Sequence, residues 1–316
     1  MVNPSKVQKL IPRAVDLLSG TDQLGSFSAV QPSYERSPDC LQGAADEPMF
    51  GLGLRPPFYE QATKGKIAVD WLELITENFM VRGGRPLAIL EATRTHYPIA
   101  FHGVSMNLGG SDALDEQYLQ RLKQLIERFE PLWISDHLCW TRHGGHYLHD
   151  LLPLPYAEDV INHVAARIRT VQDYLGQQIL IENLSSYAEF AWSPMCEWEF
   201  LTEVAERADC LILLDINNII VSAHNHKFDP HEYLRAIPHE RVVQHHVAGH
   251  SSSGPLKIDT HDYPVPESVW DLYQVARRHF GPVPVCLERD DNIPPLSDLL
   301  DELGHLRIVS DTAITQ

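Results

Sequence analysis

The residues able to do chemistry in this 316-residue chain recur at one kind of place, the ends of short apolar runs. DWLELITEN ends in Glu77 and Asn78, YPIAFHG carries His102, and PLWISDH ends in Asp136 and His137. QQILIEN ends in Glu182 and Asn183, and CLILLDIN carries Asp215 and Asn217, with Asn218 next. RVVQHHVAG carries His245 and His246 with His250 following, the segment IDTHD adds Asp259 and His261, and PVPVCLER carries Glu288. Each position has a plain alternative. A carboxylate at a strand end commonly caps the next helix, and a lone His there is most often a satisfied, partly buried imidazole. The set resists that reading. Independent caps would favour Ser, Thr and Asn, and carboxylates gathered round one cavity are costly unless cations neutralise them. The pattern points to a metal centre.

Oxygen and imidazole donors without thiolates suit iron, manganese or zinc in a reactive site better than structural zinc. Glu182 and Glu288 are of the type that bridges ions, so two or three metals are expected. Asp259 and His261 are two apart and share a face if their segment is extended. Asp215 and Asn218 are three apart, where a chain leaving a strand can curl back. Other candidates carry less weight. His143, His146 and His149 in RHGGHYLHD read as a solvated loop, with a mobile lid as the functional alternative. His224 reads as a surface residue, His226 as structural and Cys139 as a small buried thiol. Ser185 and Ser186 lack an evident His/Asp partner, so a serine-hydrolase triad is not supported.

The elements that must position these residues alternate. Eight apolar runs (51–55, 70–78, 97–103, 131–137, 177–183, 210–217, 241–249 and 282–289) suit strands buried on both faces. Helical patterns cover 87–95, 115–129, 157–175, 197–208, 230–236, 266–279 and 296–303. This predicts an α/β fold, a TIM (β/α)8 barrel whose active site lies at the C-terminal strand ends. The alternative, a doubly wound open sheet, loses support because neither nucleotide-binding glycine motif is present. Residues 1–47, rich in polar clusters and prolines and with one weak amphipathic stretch at 7–18, read as an N-terminal extension; 48–316 read as a single barrel domain.

Composition excludes several classes. The net charge of −18 disfavours nucleic acid and anionic membrane as partners. No apolar stretch is long enough to span a bilayer, and the N-terminus lacks a secretory pattern. Five scattered cysteines without C-x-x-C suit reduced thiols in the cytoplasm. Seventeen histidines are an unusual supply of metal ligands.

On GLGLR (51–55), ELITENF (73–79), FHGVSMNLGG (101–110), ISDHLCW (134–140), YLHDLLPLPY (147–156), LIENLSSY (180–187), LLDINNIIVSAHNHKFDP (213–230), VAGH (247–250), IDTHDYPVP (258–266) and LERDDNIP (287–294), the chain resembles the DUF692 family, also called UPF0276. These are multinuclear non-heme iron-dependent oxidases of the methanobactin-biosynthesis type, within the xylose-isomerase-like barrels. The ligand order is similar to that of the trinuclear zinc endonucleases of the IV type.

The resemblance implies a TIM barrel with two or three irons and O2 as co-substrate. It implies oxidation of cysteine in a Cys-containing, ribosomally made precursor peptide, which a small leader-recognition partner protein delivers. It assigns one iron to His102, Asp136 or His137, and Glu182. A second falls to Glu182, Asp215, His246 and Glu288, and a third to Asn218, Asp259 and His261. Glu182, Asp215 and Glu288 are the expected catalytic carboxylates. Two positions depart from the family pattern: Arg289, which stands at the expected pocket rim in place of an aromatic or apolar residue, and Asn218, a weaker ligand than His. A metal-dependent hydrolase or endonuclease and a sugar isomerase on the same barrel are the alternatives, with a non-catalytic scaffold behind them.

Overall fold

The computed structural model describes residues 48–315; the extension 1–47, with its stretch at 7–18, lies outside the described residues. Each of the eight apolar runs forms one strand of a closed, wholly parallel barrel. They are β1 (Phe50–Gly53), β2 (Trp71–Ile75), β3 (Ile99–Gly103), β4 (Ile134–His137), β7 (Leu180–Glu182), β8 (Leu211–Asp215), β9 (Val242–Val247) and β12 (Val285–Leu287). Two excursions lie outside the barrel. β5 (Trp140–His143) and β6 (His146–Leu152) form a hairpin after β4, and β10 (Ser251–Ser253) and β11 (Leu256–Ile258) form another after β9.

The helical patterns form α2 (Arg85–Arg94), α3 (Glu116–Phe129), α4 (Glu158–Leu175), α5 (Glu197–Ala208), α7 (Pro230–Ala236), α8 (Glu267–Phe280) and α9 (Leu296–Thr315). A short α1 (Tyr59–Ala62) follows β1. One further helix, α6 (Ile216–His226), is absent from the pattern-based reading. Its start, INNIIV, continues the apolar run of β8 and looks like more strand. Asp215 ends the strand by capping the helix, accepting the Asn218 N–H at 2.7 Å. Asp115 caps α3 in the same way, accepting from Gln117 N and Tyr118 N.

Strand alternation splits the core in two. Leu72, Leu74, Ile99, Phe101, Ile181, Leu214, Val285 and Leu287 join the apolar layer between barrel and helices. Their neighbours in sequence, Trp71, Ala100, Trp133, Leu180, Leu213 and Cys286, form a separate cluster that plugs the barrel interior. Trp71 and Trp133 meet edge-on with ring centroids 5.0 Å apart. Gly51 is required beside them, since a Cβ there would stand 2.3 Å from the Trp71 ring. Further along the same inward face, at Glu73, His102, His137, Glu182, Asp215, His246 and Glu288, the lining turns from apolar to ionisable.

Candidate metal centre

Ladder register sets the ionisable layer side by side. His137 is paired with Glu182 across β4 and β7, Asp215 with His246 across β8 and β9, and Cys286 with His246 across β12 and β9. Inward alternation therefore brings Glu73, His102, His137, Glu182, Asp215, His246 and Glu288 to one level above the plug, all buried.

Glu182 is the hub. Its Oε2 lies 3.2 Å from both His102 Nε2 and His137 Nε2, and its Oε1 lies 3.3 Å from His246 Nδ1. Hydrogen bonds on the far side of each ring fix the tautomers. His137 Nδ1 meets the Gly103 carbonyl at 3.1 Å, and a carbonyl only accepts, so Nδ1 holds the proton and Nε2 is bare when the ring is neutral. His102 Nδ1 donates to Ser135 Oγ at 2.8 Å, because the Ser135 hydroxyl is itself donated to Phe101 O. Two bare nitrogens thus face one carboxylate oxygen.

Four triplets of donor atoms are close enough to share an ion: His102/His137/Glu182, Glu182/Asp215/His246, Asp215/His261/Glu288 and Glu73/His246/Cys286. Glu182 Oε2, Asp215 Oδ2 and Asn218 Oδ1 are buried without a hydrogen-bond partner, and His246 Nδ1 and His261 Nε2 face only carboxylates, Glu288 Oε2 at 3.0 Å and Asp259 Oδ1 at 2.7 Å. Buried lone pairs facing one another repel, and cations are what makes such a set compatible. The donor set fits a hard or borderline metal. Cys286 fits less well, because burial holds its thiol well above the usual range.

The electrostatics of the cluster makes the same demand for positive charge. Burial opposes ionisation of Glu182, but His137, His102 and His246 outweigh it and hold the carboxyl at about 2. Glu288 is likewise held well below its usual value against burial, by His246, His261 and His102. Burial disfavours the charged ring of His246, yet Glu288, Glu73 and Glu182 raise it well above the ordinary imidazole value. Asp215 goes the other way: burial, then Glu182 and Asp259, push it well up.

The residues expected from sequence divide as follows. Of the pair left open on β4, His137 meets Glu182, whereas Asp136 points to the opposite face. There its Oδ2 accepts from Met106 N at 3.2 Å and Tyr118 Oη at 3.4 Å. Burial and the Glu77 carboxylate raise Asp136 to about 7. Asp215 serves both readings at once, one oxygen capping α6 and the other turned to the centre. Asn218 donates to Asn183 O and leaves its amide oxygen unpartnered.

Asp259 and His261 meet, with Oδ1 and Nε2 2.7 Å apart, but not through an extended segment: Asp259 lies beyond β11, and His261 has φ +49°. Asp259 is held by Asn217 Nδ2 and Ser185 Oγ, and His261 falls into a triplet with Asp215 and Glu288. His245 faces outward, 5.5 Å from the Phe280 ring. His250 bonds Asn217.

Several expectations need correction. RHGGHYLHD is a β-hairpin, not a loop, and its two-glycine tip is pinned by Asp112, which accepts from both glycine N–H groups. Ser186 does have a His partner: His226 Nε2 lies 2.7 Å from its hydroxyl. That serine is buried and the same nitrogen contacts the Ser186 carbonyl at 3.0 Å, so the pair pins a loop. Arg289 is not at the rim; it is buried against Glu302 of α9. Sequence reasoning missed Glu73, Arg55 and Asp290. Glu73 Oε1 lies 2.8 Å from His246 Nε2. Its signal was its place inside WLELI, two residues from Trp71 and so on the inward face.

The family described as RiPP precursor modification enzyme MbnB/TglH/ChrH matches residues 49–311. A UPF0276 protein of Caulobacter vibrioides is 55% identical over 259 residues, 82% of this chain and 92% of the relative. A UPF0276 protein of Vibrio parahaemolyticus is 42% identical, over 81% of this chain and 90% of the relative. Among solved structures, 3-keto-D-glucoside 4-epimerase of E. coli has TM-score 0.54 at 14% identity, over 83% of this chain and 100% of its own. Endonuclease IV of Thermus thermophilus has TM-score 0.53 at 16% identity, over 85% and 99%. These two share the barrel fold with this chain and speak to fold alone.

Proposed function

This chain belongs to the MbnB/TglH/ChrH family of RiPP precursor modification enzymes, the DUF692 or UPF0276 proteins, and from that premise we propose that it is an O2-dependent multinuclear iron oxidase acting on a cysteine of a precursor peptide. The observation that carries the reading is the hub at Glu182, one buried carboxylate whose two oxygens face two different groups of imidazoles. His102, His137 and Glu182 would hold one ion, Glu182, Asp215, His246 and Glu288 a second, and His261 with Asp259 and Asn218 a third. Bound iron would supply one-electron redox chemistry with O2 as the oxidant.

The chain's own residues do the rest. Gly103 and Ser135 keep His137 and His102 in the tautomer with Nε2 bare. The Trp71–Trp133 plug closes the barrel below the centre and keeps water out from that side. Tyr147, Leu148, Tyr187, Trp192 and Tyr263 are exposed on segments that follow β4, β7 and β9, apolar side chains that a peptide could meet. Arg55 and Arg142 near the mouth are tied to carboxylates, Arg55 to Asp290 and Arg142 to Asp112 and Asp115, which leaves them poor phosphate ligands. Together with the −18 charge this weighs against a nuclease. No helix among the described residues is long and apolar enough to cross a membrane. We place the enzyme in the cytoplasm, with a small leader-recognition protein delivering the peptide.

The test is a peptide mass measurement. Iron-loaded protein, a Cys-containing precursor and its partner protein are incubated with and without O2. A mass change that requires O2 and disappears in a Cys→Ser peptide is expected. Turnover of a phosphodiester or a sugar, with the peptide unchanged, would replace this reading by a hydrolase or an isomerase.

A further inference from the structure

His261 sits in an unfavourable backbone conformation, with φ +49°, a region that a non-glycine residue occupies only when its surroundings hold it there. Three bonds do so. Its N–H donates to Gly249 O at 3.1 Å, its carbonyl accepts from Asp290 N at 3.0 Å, and its Nδ1 meets Asp290 Oδ2 at 2.9 Å. Asp290 is itself held from behind. Its other oxygen, Oδ1, accepts from Arg55 Nε at 2.7 Å and Nη2 at 2.5 Å. The same Nη2 lies 3.4 Å from Glu288 Oε1. Arg55 is buried just past the end of β1 and Asp290 just past β12, so the clamp spans the seam where first and last barrel strands pair.

We infer that Arg55 and Asp290 are positioning residues that set the ring orientation and tautomer of His261. The logic runs through donors and acceptors. Arg55 can only donate, so an acceptor must face it. In Asp290 both oxygens accept, so Oδ2 takes the Nδ1 proton of His261. That leaves Nε2 as the nitrogen facing Asp259, 2.7 Å from its Oδ1, while Nδ1, on the Asp290 side, stands 3.7 Å from Glu288 Oε2. The inference rests on the metal-centre reading above.

The isosteric change separates this role from simple packing. In Asp290→Asn the amide oxygen must face Arg55, which turns the amide NH2 toward His261 Nδ1. Nδ1 must then accept, and the ring proton moves to Nε2, the nitrogen needed for an ion. Asp290→Ala removes the clamp but imposes no tautomer. D290N should therefore be worse than D290A, although it preserves shape.

The measurement is zinc binding under a chelator buffer, with NMR of the zinc-loaded protein. The wild type should show a slowly exchanging Nδ1–H imino proton from His261. D290N should lose that signal and bind its weakest ion about 100-fold less tightly, and D290A about 10-fold less tightly. Arg55→Lys, which keeps the charge but not the paired donors, should fall between D290A and wild type. D290N with wild-type affinity and an intact imino signal overturns the clamp. So does a loss in D290A that exceeds D290N and follows a fall in thermal stability, since that is packing alone. A wild type that binds no zinc or iron overturns the centre itself, a failure visible before any variant is made.

Discussion

Adjacent residues on the barrel strands live in opposite worlds. His246 looks inward at three carboxylates, which raise it well above the ordinary imidazole value against the cost of burial. His245, one residue earlier, looks outward at Tyr273 and Phe280, and burial first, with smaller pushes from His246 and Arg277, drives it down to about 4. On β4, His137 reaches Glu182 while Asp136 turns out beside Glu77 and Tyr118. Residue type is therefore a poor guide to role here. The face of the pleat decides, because a single-residue step reverses a side chain's direction.

The comparison breaks most visibly at the hub. Replacing Glu182 with Ala leaves His102 and His137 without their shared carboxylate and severs them from His246. Activity should fall by about 10³-fold or more, an effect of several kcal/mol, as expected when a catalytic ion is lost. Metal content should fall while the barrel stays folded, and Glu288→Ala should behave alike. Elemental analysis beside circular dichroism checks this. Wild-type metal content in both variants would mean that the inward layer is not the centre.

How much of this was legible follows from the same geometry. The barrel was, because eight runs buried on both faces with helices between have few other arrangements. The inward acids and imidazoles were, where they end a run. Glu73 was not, because attention to run ends passes over a carboxylate between Leu72 and Leu74; counting by two from Trp71 would have found it. The same count from Trp133 through Ser135 reaches His137, the member of the β4 pair that faces inward to Glu182. Asp259 and His261 meet as expected, but for another reason: a left-handed His261, held by Asp290, brings the rings and carboxylates together. Long-range clamps of that kind leave no local trace in sequence. Nor does α6, whose β-branched start imitates a strand until Asp215 caps it.

A second test concerns the outward acid pair. Asp136 is raised from 3.8 to about 7, by burial first and Glu77 second. The folded state therefore holds a proton that the unfolded chain has released. This contribution is full below pH 4 and is lost as pH rises toward 7. Its upper size is roughly 4 kcal/mol. Glu77→Gln removes the like charge and keeps the Oε1 acceptor that serves Val104 N and Tyr118 Oη. Urea denaturation should show a shallower fall in stability from pH 4 to 7 in the variant, with metal content unchanged. If metal is lost instead, the outward face is coupled to the centre and the division between faces fails.

The smallest effect is expected at His245, and its sign is opposite. Its folded value of about 4 lies below the ordinary 6.5, so between those limits the unfolded chain binds a proton that the folded chain refuses. Stability is lost as pH falls from 6.5 toward 4, by up to roughly 3 kcal/mol. His245→Leu removes the titration. It also gives up a weak bond, Nδ1 to Leu214 O at 3.3 Å, and removes Nε2, a buried atom without a partner. Near pH 7 these offset, and the variant should match wild type within about 1 kcal/mol. At pH 5 it should be the more stable of the two. In wild type, Asp136 and His245 act in overlapping windows with opposed slopes, so each hides part of the other. The variant-minus-wild-type differences should separate them: E77Q becomes relatively more acid-labile and H245L relatively less. If H245L instead lost metal or activity at neutral pH, His245 would be acting through His246, and the pleat would not insulate one face from the other.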